Sequence, residues 1–322
     1  MTLTAGTFTL PAALTMGNGA TISRANGSLS TAPTFGTTVN VTYTTTAVGI
    51  TTGPELPATA AVLNNLTINN AAGVTLGNAR QVNGTLTLTA GTFTLTNALT
   101  VANGATISRA NGSLSAAPTF AGTVNVTYTG ATAGVTTGPE LPTSASALTN
   151  LTINDTGQTV TLGAAVTVNG SLTLTSGTIT TGSRTVIIGA SGSVSGASSS
   201  SYVIGNLQKN VATGATTRTF EVGTASNYNP VTIAFSNVTG SGNLTAKVTA
   251  GEHPNIASST INSSKNVNAY WTLTNSGITF DNYSATFTFV SGDVDVGAGT
   301  SDFVVGEYSG GWTYPAVGTK TA

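Results

Sequence analysis

The chain has 322 residues, of which 6% are charged, with a formal net charge of -1, one histidine and no cysteine; threonine makes up about a fifth of it. So sparse a charge excludes holding nucleic acid or an anionic membrane by electrostatics, and the missing cysteine excludes disulfides and thiolate zinc sites. A hydrophobic content of 39% in alternating order is enough to bury a core, so the sequence reads as folded.

No window of about 18 residues is apolar throughout, so no membrane-spanning helix is expected. The N-terminal MTLTAG has neither the basic region nor the apolar core of a signal peptide. The chain opens in the middle of a repeat unit, which reads as an excerpt or a mature piece of something longer.

In chain order, TLTAGTFTL at residues 2–10 begins a text that returns at 87. Thr2 matches Thr87, Arg24 matches Arg109, Tyr43 matches Tyr128, Glu55 matches Glu140 and Leu66 matches Leu151, each at an offset of 85. After a one-residue insertion Val82 matches Val168, and a partial third copy starts near 173. The expected units are 2–86, 87–172 and the partial copy. Within one unit, apolar-threonine alternations start near Thr85, Thr106, Val124, Asn150 and Ser171, at spacings of 21, 18, 26 and 21. That makes about four coils per unit.

Period-two alternation puts Leu86 and Leu88 on one face of a strand and Thr85, Thr87 and Thr89 on the other. Leu86, Leu88, Phe93 and Leu95 are expected to fill a coil, and Thr85, Thr87, Thr89, Thr94 and Thr96 to form an outward interaction surface. By the same alternation Leu88→Asp should disrupt the surrounding coils and Thr87→Ser should be nearly silent. Asn-Gly pairs at 18–19, 26–27, 83–84, 103–104, 111–112 and 169–170 mark turns that use positive φ. Strands this short suit either hairpins or stacked coils; similar coil lengths in recurring phase favour an all-β, right-handed parallel β-solenoid over residues 1–200.

The text changes near 191–202. Residues 1–200 carry seven charges, and the remaining 122 residues carry twelve, with both tryptophans and the histidine. Strands are expected near 203–209, 217–222, 228–235, 242–249, 268–275, 284–290, 303–308 and 312–314, which suggests an antiparallel Ig-like β-sandwich over 201–322.

TFEVGTASNYNPVTIAF at 219–235, AYWTLTNSGITFDNYSATFTF at 269–289 and FVVGEYSGGWTYPAVGT at 303–319 resemble a module of large repetitive surface proteins of Gram-negative bacteria, often exported by a type IX secretion system. In that class the module follows solenoid repeats like those at 1–200. The resemblance implies an extracellular, adhesive or structural protein without catalytic residues or cofactor. A C-terminal sorting domain of that class is not visible in the sequence.

Three kinds of function follow as expectations. The first is a structural and adhesive surface protein, partnered by copies of itself, another surface polymer, a glycan or a host or biofilm surface, and assembling into a filament through exposed strand edges. The second is ice binding by threonine ladders, against which stand the unequal coils and the Ala, Asn and Phe that interrupt the threonines. The third is a carbohydrate-binding or polysaccharide-degrading protein. For that one Glu55 and Glu140, each in TTGPELP, lie about four coils apart, or ~19 Å at the strand spacing, whereas a glycosidase pair needs about 5–10 Å. They read as a repeated loop, and no enzyme is expected.

Asp293, Asp295 and Asp302 in DVDVGAGTSD are the best calcium candidate, but Gly297 and Val304 depart from the calcium-loop pattern and a plain turn reads better. His253 in GEHPN reads as a solvated loop residue. Tyr270, Trp271, Tyr308, Trp312 and Tyr314 suit core filling before a sugar platform.

Overall fold

A computed structural model describes residues 1–10, 14–44 and 47–320. The chain divides into two compact units, Met1–Ser201 and Tyr202–Ala322. The first is a parallel β-solenoid. One stack of strands runs through it: β1 (Thr2–Leu3), β2 (Ala20–Arg24), β3 (Val39–Tyr43), β4 (Leu63–Asn69), β5 (Thr85–Ala90), β6 (Thr106–Arg109), β7 (Val124–Thr129), β8 (Leu148–Thr161), β9 (Ser171–Ile188) and β10 (Ser193–Ser195), each parallel to the next.

Shorter parallel stacks form the other sides of the coils. One joins Ile50–Thr51, Val74–Thr75, Thr92–Thr94 and Ser113–Leu114; another joins Arg80–Val82, Leu99–Val101 and Thr119–Phe120. Strand β8 continues past the corner to pair Val160 and Thr161 with Val135 and Thr136. Strand β9 does the same, so that Val186–Ile188 meet Val166–Val168. Asn-Gly is therefore a coil corner here and never a hairpin.

The alternation fixes which face is inside. Ile22, Val41, Leu66, Leu86, Ile107, Val126, Leu151 and Leu172 occupy successive rungs of one interior column, and each is at most 1% exposed. The neighbouring interior column reads Leu3, Arg24, Tyr43, Ile68, Leu88, Arg109, Tyr128, Ile153 and Leu174. Its four-rung recurrence of Leu, Arg, Tyr and Ile is the physical content of the 85-residue period. Phe93 is buried, but Leu95 is only half-buried, since it follows the strand Thr92–Thr94 into a corner.

The expected positive φ holds at only two of the six Asn-Gly pairs, at Gly19 (73°) and Gly104 (79°). Elsewhere the missing side chain matters for proximity. A Cβ on Gly112 would stand 2.8 Å from the Leu88 carbonyl carbon of the coil below, where no methyl fits.

In the second unit β11 (Val203–Val211), β14 (Gly242–Ala250) and β15 (Ala269–Ser276) form one antiparallel sheet. Strands β12 (Gly214–Phe220), β13 (Val231–Gly240) and β16 (Tyr283–Phe287) form another. Trp271 of β15 packs on Phe287 of β16 with ring centroids 5.0 Å apart, and its Nε1 donates to the Asn229 carbonyl at 2.9 Å. Of the strand expected at 303–308 only Glu307–Tyr308 forms, paired with Trp312–Thr313; a 3-10 turn at Thr300–Asp302 takes the chain into it. Among the described residues no helix is long and apolar enough to cross a membrane.

Candidate functional site: an uncharged polar face and two buried clusters

The exterior of the β1–β10 stack carries the most regular chemistry in the molecule. Its first column is Thr2, Ser23, Thr42, Thr67, Thr87, Ser108, Thr127, Thr152, Thr173 and Ser195, each paired in register with the next. Every rung places a hydroxyl there. A second column, two residues earlier on each strand, runs Thr21, Asn40, Asn65, Thr85, Thr106, Asn125, Asn150, Ser171 and Ser193. Neither column contains a charged or aromatic residue.

The unequal coils do not break these ranks. The two longest steps, Thr42 to Thr67 and Thr127 to Thr152, each span 25 residues. They hold the TTGPELP segments, so the surplus chain is spent on another side of the coil while the strand stays in register. This answers the coil-length part of the argument against regular ladders; the interruption part holds in the second column, where Asn40, Asn65, Asn125 and Asn150 replace threonines.

Side-chain amides lock the second column. Asn65 Nδ2 donates to Asn40 Oδ1 at 2.9 Å, Asn40 Nδ2 donates to the Gly19 carbonyl at 3.1 Å, and Asn65 Oδ1 accepts the Thr85 amide at 2.8 Å. The second copy repeats this through Asn150, Asn125, Gly104 and Ser171 at 2.8, 3.1 and 2.9 Å. In the first column, by contrast, no protein group among the described residues hydrogen-bonds the hydroxyls of Thr42, Thr67, Thr87, Ser108, Thr127 or Thr152. These residues are half-exposed, and their hydroxyls are left without a partner in the described chain.

Of the five threonines expected to share a surface, only Thr85 and Thr87 are placed together on this face. Thr85 and Thr87 lie in the two columns, Thr89 sits where the β4–β5 register shifts, Thr94 belongs to a separate sheet, and Thr96 Oγ1 turns back to the Leu76 carbonyl at 2.7 Å. A local Thr-X-Thr pattern identifies outward residues, but only register says which of them share a plane.

Inside the solenoid, sequence reasoning missed two clusters. Arg24 Nη1 lies 2.6 Å from Glu55 Oε1, and the same oxygen accepts Tyr43 Oη at 2.5 Å and the Gly53 amide at 2.8 Å. Arg24 also donates to the Gly27 and Thr51 carbonyls. Arg109, Glu140, Tyr128, Gly138, Gly112 and Thr136 repeat every contact. Both glutamates are wholly buried, and the second oxygen of each carboxylate has no partner among the described residues. The repeated loop is thus a bolt into the core. Its signal was present in the sequence, since Arg24 follows Ile22 in the inward phase of ATISR.

Burial, reinforced by the adjacent Glu55 or Glu140 charge, raises the Tyr43 and Tyr128 phenols well above the usual 10.0. The folded state therefore keeps these two protons where the unfolded chain would release them, so this contribution is intact below pH 10.0 and falls as pH climbs toward the raised values. In an absorbance titration of phenolate, two of the eight tyrosines are expected to ionise only as the solenoid unfolds. A Tyr43→Phe, Tyr128→Phe variant should lose that late step.

The three candidate calcium ligands do not converge among the described residues, where no cluster of three metal-ligating side chains occurs. Asp293 is buried and accepts Asn227 and Asn229 amides at 2.7 and 2.6 Å. Asp295 accepts the Asn266 backbone amide and the Asn268 side chain, while Asp302 closes an exposed 3-10 turn. His253 lies against Tyr270, Tyr308 and Trp312 at ring-centroid distances of 5.1–5.2 Å and stays partly exposed, its Nδ1 accepting the Asn255 amide at 3.2 Å. Trp312 Nε1 donates to the Asn255 carbonyl and Tyr314 Oη accepts the Thr260 amide, but Tyr308 and Tyr314 are 39% and 41% exposed, so the expected core filling does not hold for these two.

The chain matches no known family model, and no curated protein or solved structure shows significant similarity to it.

Proposed function

We propose that the chain is an extracellular structural and adhesive protein whose solenoid is a stiff strut and whose β1–β10 exterior is the adhesive face. The observation that carries this reading is the pair of unbroken, uncharged polar columns, rigidly registered and with free hydroxyls along one of them. Many weak neutral contacts on a rigid support add without each needing its own ordering cost. The carboxylates of the solenoid support a non-catalytic reading, because Glu55 and Glu140 are consumed as internal bolts. The handedness that goes with the reading is right-handed, as parallel crossovers favour, and the two antiparallel sheets of the second unit form an Ig-like sandwich.

The test is adsorption of the full chain to hydroxyl-, carboxylate- and amine-terminated surfaces by quartz-crystal microbalance. Retention on the hydroxyl surface that is unchanged from low to high salt is expected, since no charge on the face is there to be screened. Retention only on a charged surface, lost with salt, overturns the reading.

A further inference from the structure

We infer that the β1–β10 face binds crystalline water: its partner is the surface of ice. The inference rests on the adhesive reading of that face and names the lattice it fits. The columns lie on the outside of a sheet, which gives a soluble small molecule no concave pocket to enter, so the partner must itself be extended. With no charged group in either column, electrostatic complementarity requires a neutral partner, which sets aside nucleic acid, anionic lipid and acidic polymers.

The periodicity narrows the choice. Rungs repeat every ~4.8 Å along the stack and the two columns stand ~6.6 Å apart, so ten rungs present a rectangular grid about 43 Å long. Its partner must repeat in two dimensions. Ice and a crystalline polysaccharide both do, but a polysaccharide crystal exposes apolar ring faces for which aromatic side chains are the matching surface, and neither column has one. A hydroxyl that donates one hydrogen bond and accepts two can stand in a lattice site otherwise held by water.

The face is also held ready. Threonine is stiff at χ1, so each methyl and hydroxyl has few orientations to lose. The amide ladders through Asn40, Asn65, Asn125 and Asn150 keep the second column fixed.

The experiment measures thermal hysteresis and partition into a growing ice hemisphere, using the full chain. Wild type is expected to show hysteresis that rises with concentration and to be enriched in the ice. Thr87→Tyr with Thr127→Tyr, two bulky side chains on the first column, should lose both signals with an unchanged circular dichroism spectrum. Thr92→Tyr, on a separate sheet, should keep them. Should the paired tyrosines unfold the chain, Thr87→Lys with Thr127→Lys tests the same plane with flexible, solvated side chains. No hysteresis in wild type, or hysteresis indifferent to the first-column variants, overturns the inference. Retention by crystalline cellulose without any ice signal assigns the face to a polysaccharide lattice; it overturns this inference and leaves the adhesive reading standing. Absence of ice signal, cellulose retention and hydroxyl-surface adsorption together defeats both.

Discussion

Glu140→Ala is expected to destabilise the solenoid by about 3–5 kcal/mol, the range found when one partner of a buried ion pair is removed. Arg109 is 10% exposed in its side chain and, among the described residues, its ion-pair partner is Glu140 alone, so the truncated protein keeps a guanidinium in the core with two carbonyls as its remaining acceptors. Tyr128 loses its acceptor at the same time, and a buried hydroxyl without a partner adds about 1–3 kcal/mol. Because a solenoid coil touches mainly its neighbours, the loss should be local. Hydrogen exchange is expected to accelerate across β6, β7 and β8, while amides of β1–β3 stay protected.

The cycle separates attraction from desolvation. With Arg109→Met and Glu140→Leu together, no charge remains to be buried, and the orphaned Glu140 Oε2 disappears with its cost. The double variant should therefore be far more stable than Glu140→Ala, short of the wild type by the about 1–3 kcal/mol of the Tyr128 hydroxyl, which still has no acceptor. A double variant as unstable as the single one would show that shape, and not charge, sets the cost. The pair's role would then be to fix which coil lies over which. Two repeated bolts, each reaching from a strand to a loop of the next coil, do this twice.

Much of the solenoid was legible because alternation is a local signal. Leu86 and Leu88 point inward and Thr85 and Thr87 outward for reasons contained in six residues. Leu95 failed because the alternation does not say where a strand ends and a corner begins. The polar face was hidden for a related reason. Thr42, Thr67, Thr127 and Thr152 share a column only through the register of coils of different length; the alternation starts β7 at Val124, as the structure does, but does not say that Asn125 is the residue paired with Thr106. The bolts needed yet another level. Arg24, Tyr43 and Glu55 recur together at the 85-residue offset, yet nothing local says that a loop glutamate turns inward. Only the interior column, in which Arg24 stacks on Tyr43, brings the three together.

The alternation itself makes the second large prediction. Leu86 is fully buried between Leu66 and Ile107. Leu86→Asp places a carboxylate among side chains that cannot donate to it, and a cost of at least about 4 kcal/mol is expected, as for other buried unpaired charges. Leu88→Asp is the weaker test, since Leu88 stacks directly on Arg109, a cation that a new carboxylate could approach. Thr87→Ser, one residue away on the open face, removes a single methyl and should stay within about 0.5 kcal/mol of wild type. Urea unfolding followed by circular dichroism, with exchange measured at β4–β6, reads both. If the serine variant loses as much as the aspartate variant, the strand faces are assigned the wrong way round. If the aspartate variant loses nothing, the column Leu66, Leu86 and Ile107 is not the core of the stack, and the hydroxyl grid on its other side has no rigid support.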